Sequence, residues 1–330
     1  MHSISKAMWT SAADQNNHHK TMRFPALLSL VIALLACGHT RAQQEVMVSQ
    51  YMFNGLFLNP AYAGSHPFTS GSLLHRDQWT GMAGAPVTSM MAIDGPLWNE
   101  RMGLGFTLVH DQIGVSRDLE MAGQYAYRIR TGKRGHLSFG LKAGLSLYSA
   151  KLSELVYWDQ NDPLYQQNIR NVAVGKFGFG MYWHDERSYV GLSVPTIYAA
   201  DGQVVKAAES ASDHYFTQHY YLNAGRVFEI TEDIDLKPSA LIKFQPEAPP
   251  QADLNVNALY RERFWLGVGY RTGASVTGMV EYQVNPMFRI GYAYDMTTSA
   301  LRRYNGGSHE IMLGIDLGKD PVRIKTPRYF

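Results

Sequence analysis

Asp111, Asp295, His309 and Glu310 have the side chains that would suit a metal ion or an acid–base pair. Their spacing argues against both. His309-Glu310, the adjacent pair, lacks the second histidine of a zinc-binding helix face and lies in a stretch patterned as a strand. Two other words fail in similar ways. Gly267-x-Gly269 with Gly273 has no helix behind it to bind a dinucleotide, and Gly191-Leu192-Ser193-Val194-Pro195 lacks the second glycine of a nucleophile elbow. A Ser/His pair on a barrel stays open as a reading, but no two residues single it out. A polar interior whose buried charges must be paired accounts for all four residues. The expectation is therefore no catalytic residue, no metal and no cofactor. Arg76 and Trp79, near the end of the first strand, read as an interior arginine satisfied by a carboxylate and an interfacial tryptophan.

The elements that hold these residues are strands. In Glu120–Arg130, Met121, Tyr125, Tyr127 and Ile129 fall on one face, and Glu120, Gln124, Arg128 and Arg130 on the other. Leu137, Phe139, Leu141, Leu145 and Leu147 likewise oppose Ser138, Lys142 and Ser146. Ile290, Tyr292, Tyr294 and Met296 oppose Arg289, Gly291, Ala293 and Asp295, and Ile311, Leu313, Ile315 and Leu317 oppose Glu310, Gly314 and Asp316. About fourteen strands are expected, over residues 68–79, 87–95, 102–110, 118–130, 135–148, 172–183, 187–195, 216–229, 234–245, 251–260, 262–271, 274–284, 287–296 and 307–317. Most approach the roughly 9–11 residues that cross a bilayer on a tilt. The alternation is muddled in 172–183 and 216–229.

Tight turns at Thr131–Arg134, His184–Glu186, Thr231–Asp233 and Asn285-Pro286 alternate with longer polar links at 149–171, 196–215 and 297–306. The links after Gln245 and Arg271 are shorter than that rule prefers. A transmembrane antiparallel β-barrel of the outer-membrane type has this order, with short periplasmic turns, longer surface loops and both termini periplasmic. A soluble β-sandwich also alternates, but its outer face should be richly charged. Here one face of whole strands is Leu, Ile, Phe and Tyr.

Composition agrees. Charged residues are 18% and aromatics 12%, with 20 Tyr and 30 Gly. The mean hydropathy of −0.22 is too polar for a helix bundle and ordinary for half-polar barrel strands. The apolar run Phe24–Cys37 follows Arg23 and precedes Thr40-Arg41-Ala42-Gln43, so residues 1–42 read as a signal peptide cleaved after Ala42, with Met22 a candidate start. The rival reading takes Leu34-Leu35-Ala36-Cys37 as a lipoprotein box with Cys37 lipidated. Removing 1–42 takes away Lys6, Lys20, Arg23, Arg41 and Asp14, which turns the formal charge of +2 into −1 and gives no reason to expect a nucleic-acid partner. Cys37 is the one cysteine, so the mature chain has no disulfide or thiol chemistry.

Specific words then recur in order. They are Ser49-Gln50-Tyr51-Met52-Phe53-Asn54, Asn59-Pro60-Ala61-Tyr62-Ala63-Gly64, Arg76-Asp77-Gln78-Trp79 and Gly84-Ala85-Pro86. Gly103-Leu104-Gly105, His110-Asp111-Gln112-Ile113-Gly114, Gly291–Asp295, Ser308–Ile311 and the terminal Pro327-Arg328-Tyr329-Phe330 follow. From about residue 49 to the end this closely resembles the PorP/SprF family, with His110 where asparagine is common. The resemblance implies an integral outer-membrane component of type IX secretion and gliding. It further implies links between the machinery, or an exported surface protein or adhesin, and periplasmic ring or peptidoglycan-binding lipoproteins. The alternative is a porin or small-molecule transporter.

The resulting layout is a periplasmic lead-in at 43–67, a barrel at 68–317 and a periplasmic tail at 318–330. In the lead-in, Pro60 biases Asn59 toward extended backbone and Gly64 can take positive φ. Residues 49–64 are too apolar for a free tail, so they are expected to have a structural role, to dock at the barrel's periplasmic mouth, or to dock on a partner. Pro321 and Pro327 end the strand pattern, making the tail a candidate docking peptide. Aromatics and amides at Tyr157, Trp158, Tyr165, Gln166 and Gln167 are read as pore cover or partner contacts.

Overall fold

The structure, a computed structural model, describes residues 46–97, 101–155, 168–201, 218–246 and 248–318. Residues 1–42, read above as a signal peptide with Cys37, residues 319–330 with Pro327, Arg328, Tyr329 and Phe330, and residues 157–167 lie outside that range.

Fifteen labelled strands run β1 (Thr69–Asp77), β2 (Val87–Leu97), β3 (Met102–Ile113), β4 (Ser116–Thr131), β5 (Gly135–Ala150), β6 (Ile169–His184) and β7 (Ser188–Asp201). They continue as β8 (Tyr220–Arg226), β9 (Phe228–Thr231), β10 (Ile234–Gln245), β11 (Ala248–Tyr260), β12 (Phe264–Arg271), β13 (Ser275–Gln283), β14 (Phe288–Thr297) and β15 (Ser308–Leu317). Each pairs antiparallel with its neighbour. β1 closes on β15 in a register from Thr69↔Leu317 to Asp77↔His309. The result is a closed fourteen-stave antiparallel barrel, because β8 and β9 are one stave. Their register against β10 is unchanged across the gap, with Ser239↔Gly225 on one side and Leu236↔Phe228 on the other. The gap at Val227 lies beside Pro238 of β10, which has no N–H to give the ladder. On its other side the Val227 amide donates to the Arg187 carbonyl at 2.8 Å, which continues the pairing with β7.

Period-2 patterning builds this wall. On β12, Phe264, Leu266, Val268 and Tyr270 are exposed on the outside, while Trp265, Gly267, Gly269 and Arg271 are buried inside. Across the outer face, Phe264 stacks on Tyr282 at 4.7 Å near one rim, and Tyr220 lies 6.0 Å from Phe244 near the other. These pairs belong to the rims of an apolar belt, where amphipathic rings suit a membrane interface. No helix among the described residues is long and apolar enough to cross a membrane, so crossing falls to the strands.

One rim carries the tight turns, at 132–134, 185–187, 232–233, 261–263 and 284–287, together with the start of β1 and the end of β15. The opposite rim carries 78–86 and 298–307, the end of β5 with the start of β6, and the end of β7 with the start of β8; these are termed the turn end and the loop end. Strand limits differ from expectation at β7, which continues past 195 to Asp201, and at β3. The latter runs on through His110, Asp111 and Gln112 to Ile113 and turns at Gly114 (φ +56°), so the expected link at 111–117 shrinks to two residues. With the links at 246–247 and 272–274, the loop end has three short connections. The last strand stops at Leu317, as the prolines beyond it imply.

Candidate functional site: a segment threaded through the barrel

The segment Val46–Phe68 lies inside the barrel. It folds as three short 3-10 turns, Tyr51–Phe53, Gly55–Phe57 and Pro60–Tyr62, rather than as a strand. Asn59, ahead of proline, is extended (φ −144°, ψ 113°), and its Oδ1 accepts from the Ala61 amide at 2.9 Å to start the last turn. Gly64 takes φ +63°, and a Cβ there would strike the backbone of Gly95 and Gly103. Both features match the sequence reading of the Asn-Pro-Ala-Tyr-Ala-Gly word.

At the loop end, buried Arg76 of β1 bonds Asp295 of β14 at 2.7 Å and Glu310 of β15 at 3.0 Å. Glu310 is fully buried, and its two oxygens accept the amides of Ser49 and Gln50 at 2.8 and 2.7 Å. Ser49 Oγ donates to Asp295 at 2.7 Å. Arg271 of β12 donates to Asp253 at 2.9 Å and to the Val48 carbonyl at 3.4 Å. The chain then descends. Asn255 donates to the Tyr51 hydroxyl at 2.7 Å, Asn54 donates to Ser72, and Phe53 meets Trp265 edge-on at 6.4 Å. Lower still, Ser193 donates to the Leu58 carbonyl at 2.6 Å, and Asn59 Nδ2 donates to the Met181 carbonyl at 2.9 Å. Near the turn end, Asp94 accepts the Gly64 amide at 2.8 Å, and Arg128 donates to the Gly64 carbonyl.

Inward glycines make the room. A Cβ on Gly103 would meet the Ala63 carbonyl, one on Gly140 the Pro60–Ala61 peptide, one on Gly180 Asn59, and one on Gly291 the Gln50 amide oxygen. These four sit on β3, β5, β6 and β14, so the bed for the segment crosses the barrel rather than following one strand. Leu56, Ala61, Tyr62 and Ala63 of the segment form one apolar cluster with Ala92, Ala126, Tyr182 and Tyr189 of the wall.

The residues singled out in the sequence separate into groups. Arg76, Asp295, Glu310 and Gln50 converge, and Tyr51, Asn59, Pro60, Ala63 and Gly64 belong to the threaded segment. Asp111 stays apart, bonded to Thr88 at 2.6 Å. His309 does not join Glu310, because neighbouring strand residues point to opposite faces. It lies on the outside, with Nδ1 2.7 Å from the Tyr292 hydroxyl. No group of metal-ligating side chains forms among the described residues. Gln78 and Trp79 lie past β1 in the loop-end connection, where the Trp79 amide donates to Ser308 Oγ at 3.1 Å.

The threading also corrects an expectation. Docking confined to the turn-end mouth does not hold among the described residues. Residues 47–49 lie beside Tyr221, Arg271, Asp295 and Glu310 at the loop end, whereas Leu317 ends at the turn end. The segment's wall partners span the full height of the barrel, so one mouth cannot accommodate it.

A family model described as type IX secretion system membrane protein PorP/SprF matches residues 40–315. No curated protein matches the chain. Among solved structures, the chain is similar to Omp33, an outer membrane protein of Acinetobacter baumannii, at 8% identity and TM-score 0.42, over 76% of this chain and 98% of that one. It is also similar to the Ralstonia pickettii toluene transporter TbuX, at 10% identity and TM-score 0.45, over 84% and 95%. The CymD monoaromatic hydrocarbon channel gives 11% identity and TM-score 0.47, over 82% and 92%.

Proposed function

The chain belongs to the PorP/SprF family of type IX secretion system membrane proteins, and we propose that it serves there as a non-enzymatic outer-membrane anchor. In this reading the turn end faces the periplasm. The tail at 318–330 engages ring or peptidoglycan-binding lipoproteins of the machinery, and the loop end holds an exported surface protein or adhesin.

The occupied interior carries the reading. A conduit needs a clear polar path, yet several interior carboxylates and arginines of this barrel hold its own segment, from Glu310 at Ser49 to Asp94 at Gly64. A barrel filled in this way offers its two rims to partners. Gln78 and Trp79 lie at the loop-end rim beside Ser308 and belong to the surface that would meet the exported protein.

The test pairs two measurements on detergent-solubilised protein. An anchor shows little conductance in planar bilayers and co-purifies with periplasmic lipoproteins. A porin or small-molecule transporter conducts steadily and purifies alone, and that outcome would overturn the reading.

A further inference from the structure

Six of the bonds that hold Val46–Phe68 go to its main chain, and all six come from side chains of the wall. The amides of Ser49 and Gln50 go to Glu310, and that of Gly64 to Asp94. The carbonyls of Val48, Leu58 and Gly64 are met by Arg271, Ser193 and Arg128. All five side chains are buried in the wall, and the four carboxylate or guanidinium partners supply charge-assisted bonds at both ends of the path. Main-chain pairing of this kind, with pockets for selected side chains, is how proteins bind extended peptides. The glycine bed adds a shape requirement at Asn59, Pro60 and Ala61. None of these contacts depends on the covalent link that joins the segment to β1 through Ser65–Phe68.

We propose that the barrel interior is a polypeptide-binding channel that accepts the Val46–His66 sequence whether or not it is joined to the wall. The corresponding segment of a second copy of this chain can therefore replace it. This inference rests on the geometry alone and stands apart from the anchoring role. Attachment gives the resident segment a high effective concentration, so exchange becomes visible once the resident is weakened.

The experiment uses the full mature chain with Ala61→Arg, placed where Ala61 is fully buried against Gly140, so that the resident segment is expelled from an unaltered wall. Gly64→Val is the second expelling variant. Barrel integrity is checked by heat-modifiable gel mobility, and expulsion by protease cleavage within 46–66. The probe is a fluorescent synthetic peptide of residues 46–66, with a scrambled peptide as control. The expected result is at least tenfold more bound probe on the expelled variant than on the parent, little binding of the scrambled peptide, and loss of binding when Gly140→Leu is added.

A folded, expelled barrel that takes up no more probe than the parent would overturn the proposal. Binding that is indifferent to scrambling or to Gly140→Leu would do so too. If both variants keep the segment protected, the glycine bed does not select the sequence and the proposal fails as well.

Discussion

Glu310→Gln isolates the latch that holds the segment at the loop end. Three donors converge on this carboxylate: the Ser49 amide at 2.8 Å, the Gln50 amide at 2.7 Å and Arg76 Nη1 at 3.0 Å. Glutamine keeps the size but presents one oxygen and one NH2, so at least one donor faces another donor. A hydrogen bond to a charged group contributes about 1.5–3 kcal/mol, and an unsatisfied buried donor costs about 1–3 kcal/mol. Arg76 keeps Asp295, which limits the damage to the arginine. The latch should therefore weaken by roughly 3–5 kcal/mol, similar to breaking a buried ion pair from one side. At about 1.4 kcal/mol per tenfold, amide exchange through local opening should speed up by roughly a hundredfold to a few thousandfold. Hydrogen exchange followed by mass spectrometry should show this in peptides covering residues 48–54. Peptides from β4 and β5, whose pairing Glu310 does not touch, should be unchanged. Exchange in 48–54 within threefold of the parent would refute the latch. Uniform acceleration across the barrel would show instead that Glu310 holds the wall.

Gly140→Leu in the full chain should displace Pro60–Ala61, leaving the barrel heat-modifiable while exposing 46–66 to protease; a protected segment would count against the glycine bed. Leu141→Arg, on the outer face of β5, should destabilise the barrel in bilayers by about 2–4 kcal/mol. Equal folding yield and urea midpoint with the parent would show that this face does not touch lipid. Truncation after Lys319 should leave the barrel folded and abolish recovery of periplasmic lipoproteins, and intact co-purification by the shortened chain would remove the tail from the docking scheme. The mature chain should stay dispersed and monomeric only with detergent, which sedimentation with and without detergent will check.

The wall was readable because lipid and lumen enforce a strict period of two. Met121, Tyr125 and Tyr127 had to face one way and Glu120, Gln124 and Arg128 the other, and they do. The sequence patterns failed where period and chemistry diverge. In β6, inward Gly178 and Gly180 leave no polar mark opposite Phe177 and Phe179, and the register against β7 shifts between those two phenylalanines, so the alternation looks muddled although the inside–outside order holds. At β3, the polar Asp111-Gln112 looks like the start of a loop but continues the strand, with Asp111 bonded to Thr88 across the ladder.

The threaded segment was harder to place, for a reason that follows from its chemistry. Its partners are scattered over β1, β2, β4, β6, β7, β11, β12, β14 and β15, far apart in sequence, and the polar ones carry an ordinary explanation as interior polarity. Arg76 was rightly expected to meet a carboxylate, but nothing in one sequence distinguishes a carboxylate that meets only arginine from one that also holds two amides. The available signal was negative: glycine at inward positions 103, 140, 180 and 291, where an ordinary polar lumen would carry a side chain. Direction was hidden too. An N-terminal segment followed by a barrel reads as approaching from the periplasmic side. It can instead run the full height and turn back into β1 only because Asn59-Pro60 and Gly64 supply the extended and left-handed backbone that the narrow path requires. The same residues that read as a turn before the first strand thus shape a segment that fills the barrel.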